Sequence, residues 1–104
     1  MNKILLIITT ESNKKKAKKI AKLLILKKLA ACVTLKNIYS IYEWEGKIEE
    51  VFEIEITIKS KPKLKNSLID FLQKNTSYDI PQIIYKTFNS EKKYKNWLNN
   101  TISN

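Results

Sequence analysis

The chain opens on a continuous apolar run of β-forming residues at 3–10, the pattern of a strand buried on both faces. Ala17, Ile20, Ala21 and Leu24 then recur at helical spacing, which predicts a helix over 12–29 with Ser12 as its N-cap. Residues 31–45 turn β-like again through Cys32, Val33, Thr34, Ile38, Tyr39, Ile41, Tyr42 and Trp44. Glu45 and Gly46 read as a tight hairpin turn, and Gly46 is the only glycine in the chain. On the return, Phe52, Ile54, Ile56 and Ile58 alternate with Glu53, Glu55, Thr57 and Lys59, predicting one buried and one wet face. Both arms exceed ten residues, whereas strands of about five or six are usual. Such a hairpin overhangs a small domain, and its unpaired edge calls for a partner.

Pro62 fits a first helical turn, and Leu64, Leu68, Phe71 and Leu72 extend an apolar stripe to about residue 74. Residues 75–81 read as a loop and 82–88 as a strand centred on Ile83, Ile84 and Tyr85. Ser90 is placed to cap a short last helix whose Tyr94, Trp97 and Leu98 face the core. The order defines an α+β, ferredoxin-like βαββαβ fold with a long central hairpin and a C-terminal helix. A length of 104 residues suits a single domain, residues 1–104.

Composition narrows the function classes. Hydrophobic residues make up 43% of the chain, as in a globular protein. No apolar run approaches the roughly 18 to 20 residues of a membrane helix, so no membrane is expected as a partner. The opening run is too short for a signal-peptide core, which points to the cytoplasm. Cys32 stands alone, excluding an internal disulfide and a Cys-only zinc site; in a strand it reads as a small buried hydrophobe.

A net charge of +10 invites a nucleic-acid reading, yet every basic residue is Lys. Without the planar fork of Arg, specific nucleic-acid recognition is not expected. Lys14, Lys15 and Lys16 open the first helix, either as a solvated charge run or as an anion site beside free backbone N–H groups. His is absent, and so are a glycine-rich phosphate loop, H-E-x-x-H and C-x-x-C. An enzyme is therefore not expected. Glu43, Glu45, Glu49, Glu50, Glu53 and Glu55 cluster along the hairpin, as a wet sheet face or as hard-cation ligands. Tyr42 and Trp44 alternate onto one strand face, for packing or for stacking on a ligand; Tyr78 and Asp79 sit in the loop before Pro81, for turn formation or for binding.

Five segments are more specific: Leu29-Ala30-Ala31-Cys32-Val33; Ser40-Ile41-Tyr42-Glu43-Trp44-Glu45-Gly46-Lys47-Ile48-Glu49-Glu50; Lys59; Tyr78-Asp79-Ile80-Pro81-Gln82-Ile83-Ile84; and Tyr94 with Trp97-Leu98. Together they resemble the CutA divalent-cation-tolerance family, nearly end to end. The resemblance implies a homotrimer in which the long hairpin strands of neighbouring subunits extend each other's sheets. It implies an association with copper and divalent-cation tolerance. It also implies an intersubunit cleft gathering Cys32, Tyr42, Trp44, Lys59, Tyr78 and Asp79.

Where some members carry copper-binding Cys and paired His, the matching positions here are Thr9, Asn75 and Thr76, and Ser77 replaces a proline. Asp79 stands where Glu is common. These changes remove the soft and borderline ligands, so no tightly held cofactor is expected, and a divalent cation or copper binds weakly at most. The competing expectation is a trimeric signalling or scaffold protein, similar to the PII regulators, whose basic surface receives an anionic metabolite or a partner protein.

Overall fold

A computed structural model of the protein describes residues 2–103. Strands β1 (Lys3–Glu11), β2 (Cys32–Trp44), β3 (Lys47–Ser60) and β4 (Ile84–Asn89) form one sheet in the order β2-β3-β1-β4. Every neighbouring pair is antiparallel. Helices α1 (Lys14–Leu26), α2 (Lys65–Asn75) and α3 (Lys92–Thr101) complete the expected βαββαβ order with a C-terminal helix. A single 3₁₀ turn at Pro62–Leu64 leads into α2, in keeping with a proline whose missing N–H costs nothing in a first turn.

β1 sits between two partners and presents Leu5, Ile7, Thr9 and Glu11 in register with Ser60, Ile58, Ile56 and Ile54 of β3. These eight side chains share one face and are buried beneath α1 and α2, which contribute Ala17, Ile20, Leu24, Leu68, Phe71 and Leu72. On the reverse face of β1, Ile4 and Thr10 are buried while Leu6 and Ile8 are half-buried. α3 covers one end only, packing Leu98 and Ile102 against Ile4 and Ala31.

Several boundaries differ from the sequence expectations, each for a local reason. The N-cap of α1 is Asn13, not Ser12: Asn13 Oδ1 accepts from the Lys16 N–H at 2.9 Å. Ser12 is engaged by Glu11, whose Oε1 accepts from its N–H and its hydroxyl. α1 ends at Leu26 and not at residue 29, because Lys28 takes a left-handed conformation (φ 60°) and turns the chain away. The cap of α3 is Glu91, whose carboxylate accepts from the Lys93 and Tyr94 N–H groups. Ser90 instead closes the β1–β4 edge through its N–H to the Asn2 carbonyl. The last strand begins at Ile84 because β1–β4 pairing stops at Ile8↔Ile84; Ile83 has already turned into the core. Trp97 is 46% exposed and stacks on Tyr94, leaving Leu98 as the buried residue of α3.

The long hairpin is as anticipated. β2 and β3 stay paired from Cys32↔Lys59 to Trp44↔Lys47, whereas β1 accompanies β3 only as far as Ile54. Thirteen residues of β2 at about 3.3 Å each reach about 43 Å, close to the 46 Å longest dimension of the fold. The radius of gyration, 14.5 Å, exceeds the roughly 13 Å of a compact domain of this length for the same reason. Ile54, Ile56 and Ile58 are buried as the alternation predicts. Phe52, the fourth member of that series, is 80% exposed. It lies past the reach of the helices and packs instead across the ladder on Tyr39, with ring centroids 4.7 Å apart.

The hairpin tip is a two-residue turn with positive φ at both Glu45 (50°) and Gly46 (79°), the geometry whose twist matches that of paired strands. Gly46→Ala should cost about 1 kcal/mol from backbone strain alone, since nothing lies within 4 Å of the added Cβ. Glu45→Asn should gain about 0.5 kcal/mol, because Asn tolerates the left-handed region. Denaturant midpoints of the two variants check the assignment, and a stabilised Gly46→Ala would contradict it.

Candidate functional site

The overhanging hairpin and the loop between α2 and β4 form the walls of a cleft of about 520 Å³. From β2 come Ser40, Ile41, Tyr42 and Trp44; from β1 and β3 come Thr10 and Glu53; from the loop come Ser77, Tyr78, Asp79, Ile80 and Gln82. The strand contributions follow from parity. In the β2–β3 register, Ser40, Tyr42 and Trp44 point to the same side as Val51, Glu49 and Lys47, two-residue steps along the same face from Glu53. This is the face that α1 and α2 leave uncovered.

Two carboxyl groups pin the loop to the sheet. Glu11, 1% exposed, holds Ser12 with one oxygen and accepts the Ser77 N–H at 3.1 Å with the other. Glu53 Oε1 accepts the Tyr78 hydroxyl at 2.8 Å. Burial pushes the Tyr78 phenol well above its ordinary value of 10.0, and the hydrogen bond to Glu53 and the charges of Glu53 and Glu11 push it further. Tyr39 carries the same device on the other face of the hairpin, where its hydroxyl donates to Glu50 at 2.9 Å and that bond raises its pKa.

Of the six residues that the sequence brings forward, Tyr42, Trp44, Tyr78 and Asp79 line this cleft. Cys32 and Lys59 are register partners of each other at the opposite end of the hairpin, outside the cleft of their own chain. Cys32 is a half-buried free thiol. The sequence offers Glu53 only as one of six hairpin carboxylates, a wet face or hard-cation ligands, and it does not bring Glu11 forward at all. Alternation alone puts Glu53 on the face of Tyr42 and Trp44, so its place was open to inference. Nothing in the sequence marks Glu11 as a buried anchor.

Thr9, Asn75 and Thr76, the positions that the resemblance sets against copper-binding residues of some members, are all committed to the fold. Thr9 is fully buried on the helix-facing side of β1, and its Oγ1 has no hydrogen-bond partner there. The Asn75 amide donates to the Phe71 carbonyl at 2.7 Å, and the Thr76 hydroxyl donates to the Leu72 carbonyl at 2.9 Å. Both back-bond within the last turn of α2, where the Leu72 carbonyl also accepts the Thr76 N–H at 3.1 Å. Among the described residues, no three His, Cys, Asp or Glu side chains come together as a metal-holding group. This donor set does not fit a soft copper ion.

The Tyr78–Glu53 contact makes a pH prediction. A phenol whose pKa is raised by folding stabilises the native state fully below its unfolded value, and that contribution is lost as pH rises through the folded value. Stability should therefore fall above pH 10, the ordinary phenol value, and Tyr78→Phe should lack this part of the fall. At neutral pH the variant should lose about 1 kcal/mol, the scale of one half-buried hydrogen bond. Ultraviolet titration of phenolate absorbance checks it: Tyr78 should ionise late, and loss of an early-titrating phenol in Tyr78→Phe would contradict the contact.

Comparison with known proteins agrees with this architecture. The family model described as "CutA1 divalent ion tolerance protein" matches residues 5–101. "Protein CutA, chloroplastic" from Arabidopsis thaliana is 34% identical over 102 residues, covering 96% of this chain and 56% of that protein. "Protein CutA" from Homo sapiens is 45% identical over 73 residues, covering 69% of this chain and 41% of that protein. The chain thus spans about half the length of these relatives. Among solved structures, the "Periplasmic divalent cation tolerance protein CutA" from Archaeoglobus fulgidus superposes with a TM-score of 0.92 at 32% identity, covering 96% of this chain and 99% of that one. The expected α+β architecture is thus shared with a protein of known structure, and the family is named for ion tolerance and not for a reaction. On the family match and the 34% identity across nearly its whole length, this chain belongs to the CutA1 divalent ion tolerance protein family.

Proposed function

We propose that this chain is a non-enzymatic divalent-cation-tolerance protein of the CutA type, working as a homotrimer whose intersubunit clefts hold a cation or small ligand weakly. The observation that carries the reading is the overhanging hairpin in a chain matched to this family over residues 5–101. Three features of the isolated chain support assembly. The hairpin beyond Ile54 has no third strand beside it, and there Ile41, Ile48 and Phe52 are each more than 60% exposed. All six residues of the edge strand β4 are exposed. The uncovered sheet face presents Leu6, Ile8, Ile38, Val51, Ile84 and Phe88, an apolar surface of the kind that marks an interface.

In this reading residues 1–104 are one domain, and Tyr42, Trp44, Tyr78 and Asp79 form one wall of the cleft. Cys32 and Lys59 reach it only from a neighbouring subunit. The signalling alternative, a PII-like trimer receiving an anionic metabolite, is less favoured, because no lysine of this chain lines the cleft. The compartment we propose is the cytoplasm, where Cys32 stays a thiol. No described helix is long and apolar enough to cross a membrane.

Light scattering at micromolar concentration should give three times the chain mass of 12.2 kDa. A stable monomer would overturn both the assembly and the shared cleft. Titration with Cu(I) or Cu(II) should find no tight, stoichiometric site that Cys32→Ser abolishes, since one thiol and hard oxygens cannot complete a soft site. A nanomolar site dependent on Cys32 would show that the substitutions at Thr9, Asn75 and Thr76 had been misread.

A further inference from the structure

The cleft differs in charge from the rest of the molecule. The chain carries 20 basic residues against 10 acidic, yet its own wall of the cleft is lined by two carboxylates, Glu53 and Asp79, and by no lysine. Neither carboxylate has a cationic partner: among the described residues the one ion pair is Lys74–Asp70, on the surface of α2. Glu53 spends one oxygen on the Tyr78 hydroxyl. That bond, with the raised phenol pKa, keeps Tyr78 neutral, so its ring stays a neutral π face beside the two charges.

Around the carboxylates stand the rings of Tyr42, Trp44 and Tyr78, with Ile80 as apolar wall. Negative π faces beside unpaired carboxylates attract a weakly hydrated cation, and indole is the best of the aromatic partners. A small hydrated divalent ion would use the oxygens and gain little from the aromatic and aliphatic wall, because it keeps much of its water. A cleft of about 520 Å³ is also larger than a single ion needs and falls within the range of small-molecule sites.

We infer that the cleft takes an organic ammonium ion carrying an apolar or aromatic body, its nitrogen between Glu53 and Asp79 and its body against Trp44, Tyr42 and Ile80. The inference rests on the cleft reading of the proposed function and names the chemical class of its ligand. An anion is disfavoured by the same two charges. In the assembled cleft a neighbouring subunit brings Lys59, one cation against two carboxylates, so the site keeps a net negative charge and its preference for a cation, and the test reads this directly.

The probes are benzylammonium, its anionic counterpart benzoate, and magnesium, added to the full chain in its assembled form. A Trp97→Phe background leaves Trp44 as the only tryptophan, so its emission reports the cleft. Benzylammonium should change that emission saturably, and benzoate and magnesium should not. Asp79→Asn and Glu53→Gln should each weaken the binding about tenfold, the scale of one lost charge contact, with light scattering unchanged. Benzoate binding as tightly as benzylammonium, or variants without effect, would overturn the inference. Saturable magnesium binding without benzylammonium binding would overturn it while leaving the cleft reading intact. Saturation by none of the three probes would overturn both.

Discussion

Seven of the fourteen residues of β3 have β1 beside them, and the other seven have only β2. That mismatch in strand length shapes the rest of the molecule. Where three strands lie side by side, α1 and α2 can cover Ile54, Ile56 and Ile58 and build a dry core. Beyond Ile54 there is no third strand and no helix, so the same alternation leaves Phe52 and Ile48 in solvent. A two-stranded ribbon is marginal alone in water. Here it is continuous with a packed sheet at one end and held at the tip by a turn with both central residues at positive φ. The Tyr39–Phe52 pair adds a cross-strand contact along it.

The overhang is also what makes a cleft. A hairpin ending level with β1 would leave the loop at residues 76–83 nothing to close against. Because the ribbon continues, Tyr42 and Trp44 stand opposite that loop, and Glu11 and Glu53 fasten the loop from the two faces of the sheet through Ser77 and Tyr78. The acidic residues of the hairpin thus divide into different tasks. Glu50 supports Tyr39, Glu53 supports Tyr78, and Asp79 from the loop completes the electronegative wall.

Much of this was legible in the sequence, because period-two alternation and a single glycine fix the register of a hairpin, and the register fixes which side chains share a face. Tyr42, Trp44, Tyr78 and Asp79 could be grouped in advance only through the family resemblance, since the loop and the strand are far apart in the chain. What alternation could not supply was the extent of cover: Phe52 looks like core by pattern and is bare because the helices stop short of it. Nor could it separate neighbouring polar residues competing for one cap. Asn13 and Glu91 prevailed over Ser12 and Ser90 because the Ser12 hydroxyl donates to the Glu11 carboxylate and the Ser90 hydroxyl to the Glu91 carbonyl. Cys32 and Lys59 are legible as a register pair, which places them together and away from Trp44 along the same ribbon.

The central claim is that the free edges and the bare ribbon of one chain are covered by other copies of itself. Amide hydrogen exchange of the full-length protein, resolved to single residues along β2 and β4, addresses it most directly. In an isolated chain, alternate amides of these two edge strands point to solvent and exchange freely, while those facing β3 and β1 are protected. If neighbouring copies extend the sheet, outward-pointing amides on at least one of the two edges must be protected as well, and dilution that separates the subunits must release them. Free exchange of every outward amide on both β2 and β4 at micromolar concentration would contradict the account.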